Sequence, residues 1–344
     1  MAKYLVTGGA GFIGCNLCKY LTKSGQDIIV LDNLSRKGTE SNLNWLKQIG
    51  KFQFVKSDIR NATTLNTICK KNKDIKGVFH LAAQVAVTTS VINPREDFEI
   101  NALGTFNVLE AVRKYIPDSI VLYASTNKVY GGMEDVKIKK LKTRYTYKDF
   151  PDGVSEDRIL DFHSPYGCSK GAGDQYVHDY NRIYGIKTIV LRQSCIYGYR
   201  QFGIEDQGWV AWFIIASVLN KPITIYGDGL QVRDVLFIDD LIRCYMLSIK
   251  NIKKTNGQVY NIGGGAKNVI SVWKEFAPKL EKLLGRKIPV KYSDWRPGDQ
   301  PVFICDISKA KRDFGWLPRI SVDEGITKLV NWVVENKEEI ARYF

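Results

Sequence analysis

The sequence predicts an α/β protein, a doubly wound parallel sheet followed by a smaller mixed α/β subdomain. Three observations predict it. Short β-branched runs alternate with longer helical patterns through the first half of the chain, as consecutive βαβ units do. The first such run opens directly into a glycine-rich turn, T-G-G-A-G-F-I-G, over residues 7–14. A carboxylate, Asp32, then closes the second run.

Taken in order, the strands are expected at 4–6, 28–31, 52–55, 77–80, 120–124 and 188–191. Helices are expected at 11–24, 40–49, 62–71, around 98–115 and at 166–184, each on a 3.6-residue apolar period. Residues 131–163 are polar, rich in lysine and weakly periodic, and longer than an ordinary connection, so a lid or surface excursion is expected there. After Leu191 the alternation breaks into short strands and helices, with helices expected at 209–219, 239–249, 269–284 and from 322. The division expected is therefore residues 1–192 for a dinucleotide-binding unit carrying the catalytic residues. Residues 193–344 form mainly a substrate-binding subdomain, with segments able to return to the first unit.

Composition narrows the function without choosing it. Lys and Arg number 50 against 36 Asp and Glu, a net charge of +14, which attracts nucleic acid, an anionic membrane or a phosphorylated small molecule. The lysines are scattered over 70–76, 137–148 and 250–254 as solvated faces, and no nucleic-acid-binding motif accompanies them, so neither nucleic acid nor membrane is expected as a partner. No apolar run reaches the roughly 18 residues of a membrane span, and Met1 to Thr7 reads as the start of a strand and not as a signal peptide. Seven dispersed cysteines, with Cys15 and Cys18 inside a helical pattern, read as reduced core thiols of a cytoplasmic protein. The histidines show no ligand spacing, so no metal is expected.

The glycine-rich turn carries the first chemistry. Gly8, Gly11 and Gly14 stand where the backbone must turn tightly or approach a pyrophosphate, and Phe12 and Ile13 open a helix whose free N–H groups face that anion. Asp32 lies at the distance of about twenty residues at which a carboxylate accepts hydrogen bonds from the adenosine ribose. It favours NAD over NADP, whose 2′-phosphate it would repel, with Asn33 beside it and Arg36 the one residue that argues the other way. Asp58 and Ile59 end the third strand, where the carboxylate either meets an adenine amino group or caps a helix. Leu81, Ala82 and Ala83 follow the fourth strand as small residues that let backbone lie close to the cofactor, or simply permit packing.

The second constellation is S-P-Y-G-C-S-K, in which Tyr166 and Lys170 stand four apart on one helical face, with Pro165 in the first turn. A tyrosine of pKa about 10 is a poor base at neutral pH. Bringing it to about 7 takes about 4 kcal/mol, which one cation about 4 Å away supplies at an effective dielectric near 20. Lys170 with a nicotinamide cation is expected to suffice. The phenolate would take a proton from a sugar hydroxyl and return it. Thr126, at the end of the fifth strand beside Ser125, is expected to hydrogen-bond the reacting oxygen.

Together these elements resemble the extended short-chain dehydrogenase/reductase family, the NAD-dependent sugar-nucleotide epimerases and dehydratases. The resemblance runs from the phosphate loop through Tyr166 and Lys170 to G-D-G-L-Q-V-R-D-V-L-F-I-D-D, N-I-G-G-G and R-P-G-D-Q. It implies a Rossmann fold, NAD as cofactor, Thr126, Tyr166 and Lys170 as catalytic residues, and commonly a homodimer. Dehydratases of the family carry Asp-Glu after the position of Thr126. Asn127 and Lys128 stand there instead, so epimerisation is expected and elimination is not.

The segments S-T-N-K-V-Y-G, D-F-H-S-P-Y-G-C-S-K-G-A, Y-G-Y-R-Q-F-G and D-Q-G-W-V-A-W-F are similar to the CDP-tyvelose epimerase group of that family. That similarity implies hydride exchange at C2 of a CDP-linked dideoxyhexose, with a UDP- or GDP-hexose epimerised at C2 or C4 as the alternative. Cys195 replaces an asparagine common in the R-x-x-N-x-Y-G segment. Arg200, Arg233 and Arg296 are candidates for the substrate diphosphate, since guanidinium donates paired hydrogen bonds. Gln201 and Phe202 would flank the base, while Gln84, Asn127, Lys128 and Trp209 complete the substrate set. His163 either lines the sugar pocket or is structural.

Overall fold

The computed structural model describes residues 2–296 and 299–344; Pro297 and Gly298 of the R-P-G-D-Q segment lie outside the described residues. Seven parallel strands form the main sheet: β1 (Lys3–Thr7), β2 (Asp27–Asp32), β3 (Gln53–Lys56), β4 (Ile75–His80), β5 (Ile120–Thr126), β6 (Lys187–Gln193) and β7 (Gln258–Ile262). Their spatial order is β7-β6-β5-β4-β1-β2-β3. Helices cover both faces, which is why Ile28, Ile29, Val30 and Leu31 of β2 form an unbroken apolar run, all at most 3% exposed. The order reverses at β1, and a crevice opens at the carboxyl ends of β1 and β4.

The helices of this unit are α1 (Phe12–Lys23), α2 (Thr39–Ile49), α3 (Ala62–Lys71), α4 (Gly104–Tyr115) and α5 (Ser164–Tyr184). Asn61 caps α3 by accepting from the Thr64 amide, and Gly185 ends α5 in the left-handed conformation, φ 68°. The long helix expected around 98–115 is more elaborate. It starts at Pro94–Phe98, widens into a π turn at Glu99–Leu103 and only then runs on as α4. That wide turn aims Asn101 inward, a detail that an apolar period does not encode.

Beyond β6 a smaller sheet joins Cys195–Tyr197, Val232–Phe237, Val269–Ser271 and Val302–Phe303. Helices Trp209–Val218, Ile238–Lys250, Phe276–Leu284 and Val322–Glu335 pack around it. One apolar core runs from Val6, Leu17 and Phe79 to Ile238, Tyr245 and Trp316, so the two sheets share an interior. The second part of the chain returns to the main sheet through β7, which pairs with β6 from Gln258 to Ile262.

Two expectations are corrected. The helix at 269–284 begins only at Phe276, because the β-branched Val269 and Ile270 pair antiparallel with Val232–Phe237. The stretch 131–163 is not a free lid. Ile138–Lys140 and Tyr145–Tyr147 form a hairpin, Tyr147 donates to the Val302 carbonyl at 3.1 Å, and Val136, Tyr147 and Val154 are buried against Phe303 and Cys305. Its lysines face outward, while Val136, Tyr147 and Val154 turn in to the core. Among the described residues all seven cysteines are free, and no helix is long and apolar enough to cross a membrane.

Candidate active site

The crevice at the strand ends is an open outer cavity that shares the walls Phe12, Ile13, Leu81, Val85 and Gln201 with an inner cavity. All thirteen residues expected to hold a dinucleotide, other than the catalytic pair, line the outer one: Gly8, Gly11, Phe12, Ile13, Gly14, Asp32, Asn33, Arg36, Asp58, Ile59, Leu81, Ala82 and Ala83. The three glycines do different work. A Cβ on Gly14 would lie 2.1 Å from the Gly8 carbonyl oxygen and 2.6 Å from Gly9 Cα, so Gly14 lets α1 seat on the turn. Gly8 has φ 68°, and its Cβ would lie 2.7 Å from the Ala82 amide nitrogen. At Gly11 a Cβ would meet only the Gly8 carbonyl, at 3.1 Å, and otherwise project into the cavity.

This site fits a dinucleotide. Gly11 gives α1 no side-chain cap, so the first-turn amides remain available to an anion at the positive end of the helix. Asp32, 7% exposed, accepts from the Ala10 amide at 3.0 Å and the Leu34 amide at 2.8 Å, which fixes it at the end of β2 with lone pairs to spare. Burial raises its pKa against those backbone donors. Asp58 is more committed: Arg60 binds both of its oxygens, at 2.9 Å each, and Asn33 donates to it at 2.8 Å. Arg36 lies within electrostatic reach of both Asp32 and Tyr166.

Thr126, Tyr166 and Lys170 converge on the inner cavity with Ser125, Cys195, Gln201 and Trp209. β5 delivers Thr126 at its last residue and α5 delivers the other two from its first turns. The Tyr166 amide is held by Ser90 Oγ at 3.1 Å. Lys170 Nζ donates to the Ala124 carbonyl at 2.7 Å and lies 4.1 Å from the centre of the Tyr123 ring. Burial drives the Lys170 pKa down to about 7, against upward pulls from Asp174 and Asp97. Burial likewise pushes Tyr166 up to about 12, with Thr126 and Arg36 pulling down and Asp97 pushing up. The phenol is therefore not ionised by Lys170 alone, in keeping with the expectation that a nicotinamide cation must act beside it. The ammonium serves the Ala124 carbonyl, and desolvation dominates both groups.

Behind the pair sits a polar network that sequence reasoning missed. Asp97, 1% exposed, accepts from Ser169, from Gln84 at 2.7 Å and from Asn101 at 3.2 Å. Gln84 therefore serves structure here and does not line the inner cavity. On the other side Asp174 takes Ser125 Oγ at 2.6 Å and both arms of Arg192 at 3.0 Å. No spacing rule links these residues, which lie on separate strands and helices. His80 is an internal strut between Thr7 and Thr105, at 2.8 and 2.9 Å, its pKa lowered to about 3 by burial.

The remaining candidates are placed as follows. Arg233 is buried and donates to the Gln300 carbonyl at 2.7 Å and to Asp299 at 2.6 Å. Lys128 lies close enough to Arg233 to feel it, and burial lowers its pKa to about 8. Arg296 lies 3.8 Å over the Tyr226 ring and 3.2 Å from Asp206, and His163 lies 3.7 Å from Asp161; neither lines the inner cavity, and Asn127 does not line it either. Arg200 and Phe202 stand in the wall of the dinucleotide cavity and not in the inner one, because Glu339 holds the guanidinium there. Trp209 and Gln201 do face the inner cavity, and the indole N–H and Gln201 Oε1 are buried without a partner among the described residues.

Comparison with known proteins agrees with this geometry. A family described as the NAD dependent epimerase/dehydratase family matches residues 4–263. CDP-paratose 2-epimerase of Salmonella typhi is 47% identical over 335 residues, 96% of this chain and 98% of that protein. The structure of UDP-glucose 4-epimerase from Thermotoga maritima with UDP-glucose superposes with a TM-score of 0.83 at 32% identity, over 97% of this chain and 99% of that one. UDP-glucuronic acid 4-epimerase from Bacillus cereus, in complex with UDP-glucuronic acid and NAD, gives a TM-score of 0.81 at 31% identity over 97% and 99%. With the phosphate turn, the ribose carboxylate and the Thr126, Tyr166 and Lys170 cluster assembled on one crevice, the chain belongs to the NAD-dependent epimerase/dehydratase family of nucleotide-sugar enzymes.

Proposed function

We propose that the protein epimerises C2 of a CDP-linked dideoxyhexose through a transient 2-keto sugar. The observation that carries this reading is the 47% identity to CDP-paratose 2-epimerase over nearly the whole of both chains. Asn127 and Lys128 support it, since no carboxylate follows Thr126 to drive loss of water. In the outer cavity, Gly11, the first turn of α1 and Asp32 would hold NAD, which when bound supplies a reversible hydride acceptor at its nicotinamide.

The chain's own residues do the rest. Tyr166 takes the C2 hydroxyl proton and returns it to the same oxygen after the ketone has presented its other face. Thr126 donates to that oxygen and keeps it beside the phenol. Lys170, set on the Ala124 carbonyl, provides positive charge when protonated, favouring the phenolate. The chamber mixes apolar walls, Ile13, Leu81, Val85, Ile196 and Val210, with the polar side chains of Ser125, Thr126, Gln193, Ser194 and Gln207, a lining suited to a sugar with both hydroxyl-bearing and bare ring carbons.

A homodimer in the cytoplasm completes the reading. α4 and α5 expose Phe106, Tyr176, Ile183 and Tyr184, 38 to 66% accessible, an apolar face that a second copy would cover, and the free thiols suit a reducing compartment. The test is to incubate the purified protein separately with CDP-, UDP-, GDP- and dTDP-linked hexoses and follow the ring protons by NMR. Inversion at C2 of a CDP-linked sugar is expected. Inversion at C4 of a UDP-hexose, with CDP sugars untouched, would replace this reading by the 4-epimerase one.

A further inference from the structure

Arg200 occupies a place that an arginine rarely takes. Its backbone φ is 64°, in the left-handed region, and the residue is 4% exposed. Nη1 donates to Glu339 Oε2 at 3.0 Å, and Nη2 donates to Glu339 Oε1 and to Ser41 Oγ, each at 2.9 Å. Nε donates to Asn42 Oδ1 at 2.9 Å. The centres of Trp45, Phe202 and Trp332 lie 5.1, 5.7 and 5.9 Å from the guanidinium carbon, and Ser41 also donates to Glu339. A charged group so fully engaged holds the segments that meet on it in one arrangement.

Those segments lead to the cofactor turn. Asn42 Nδ2 donates to the Ala10 carbonyl at 3.1 Å, and the Ala10 amide donates to Asp32 at 3.0 Å. Phe202 lies over Gly38, where a Cβ would stand 2.2 Å from its ring. Arg200 is therefore the wall between the dinucleotide cavity and a third, open cavity lined by Lys19, Trp45, Trp332 and Glu339. Glu339 belongs to a short helix, Lys337–Ala341, some 139 residues away in sequence.

We propose that the Arg200–Glu339 pair is a latch through which the C-terminal helix holds the 35–42 segment and the phosphate turn closed on NAD, making Arg200 and Glu339 positioning residues for cofactor retention. The inference deepens the epimerase reading: a reaction with no net oxidation gains nothing from cofactor exchange and fails if the reduced cofactor leaves before the sugar turns. Its test needs no sugar and so stands or falls separately from the choice of substrate.

The test measures NAD dissociation by stopped flow, releasing NAD from the purified holoprotein into an excess of a scavenging dehydrogenase. Wild type, Glu339→Gln and Arg200→Gln are compared at a temperature where each is folded by circular dichroism. Glu339 is partly exposed and the amide keeps its shape, so that variant guards against loss of fold at Arg200. Each single variant is expected to release NAD about tenfold faster, with the double variant no faster than the singles. Glu339→Asp is expected to restore part of the retention. An unchanged dissociation rate in Glu339→Gln overturns the proposal, whatever happens to the thermal midpoint.

Discussion

Burial sets the protons on Tyr166 and Lys170: it pushes the phenol up to about 12 and drives the ammonium down to about 7, so each group depends on added charge to reach its working state. Tyr166→Phe keeps the ring and removes the proton carrier; turnover is expected to fall at least about 100-fold while NAD remains bound, as read by sugar NMR and cofactor absorbance. A buried lysine whose pKa falls from 10.5 to about 7 leaves the folded chain with fewer bound protons than the unfolded one across that window. Its contribution to stability therefore grows as pH rises from about 7 to 10.5 and is lost as pH falls through 7. Chemical unfolding of NAD-free protein should show wild type gaining on Lys170→Met over this range; a constant difference between the two would contradict the assignment. Tyr166, Lys170, Gly11 and Asp32 were legible in the sequence because their geometry is local. Arg200 and Arg233 were singled out too, but not their partners, since the carboxylates that engage them, Glu339 and Asp299, come from 139 and 66 residues away.

At the scale of elements, the β1–α1 turn separates two uses of glycine that the motif letters alone conflate. Gly14→Ala places a methyl 2.1 Å from the Gly8 carbonyl and should lower stability by about 1–3 kcal/mol or more, seen as a lower thermal midpoint. Gly11→Ala meets one oxygen at 3.1 Å and has an ordinary extended backbone, φ −67° and ψ 175°. Stability of the NAD-free protein should then stay within about 0.5 kcal/mol, while NAD binding, read by calorimetry, weakens at least about tenfold. Six of the seven main-sheet strands, and the helices between them, follow from apolar period and turn residues and were found in the sequence; β7 at Gln258–Ile262 was not, because it returns to pair with β6 from some seventy residues further along the chain. The sequence reading also missed the π turn at Glu99–Leu103 and the strand at Val269–Ser271, because the first is set by buried polar partners and the second by pairing with a distant strand.

For the whole molecule, a shared core and a returning strand make the two sheets one body, with the crevice between them. The hairpin and turn at 131–163 belong to that body; a polar surface disguised the buried Val136, Tyr147 and Val154. The exposed face of α4 and α5, where Phe106 and Tyr176 meet edge to face at 5.9 Å, carries the prediction about assembly. Wild type should sediment as a dimer and Phe106→Glu/Tyr176→Glu as a monomer; a wild-type monomer in sedimentation velocity would remove the dimer from the account. The most direct measurement of the central claim uses a CDP-linked dideoxyhexose carrying deuterium at C2, turned over in ordinary water and read by NMR. The account predicts the C2-inverted sugar with its deuterium kept, because the atom that leaves C2 is the one returned. Inversion with deuterium lost to solvent, or a sugar left unchanged at C2, would contradict it.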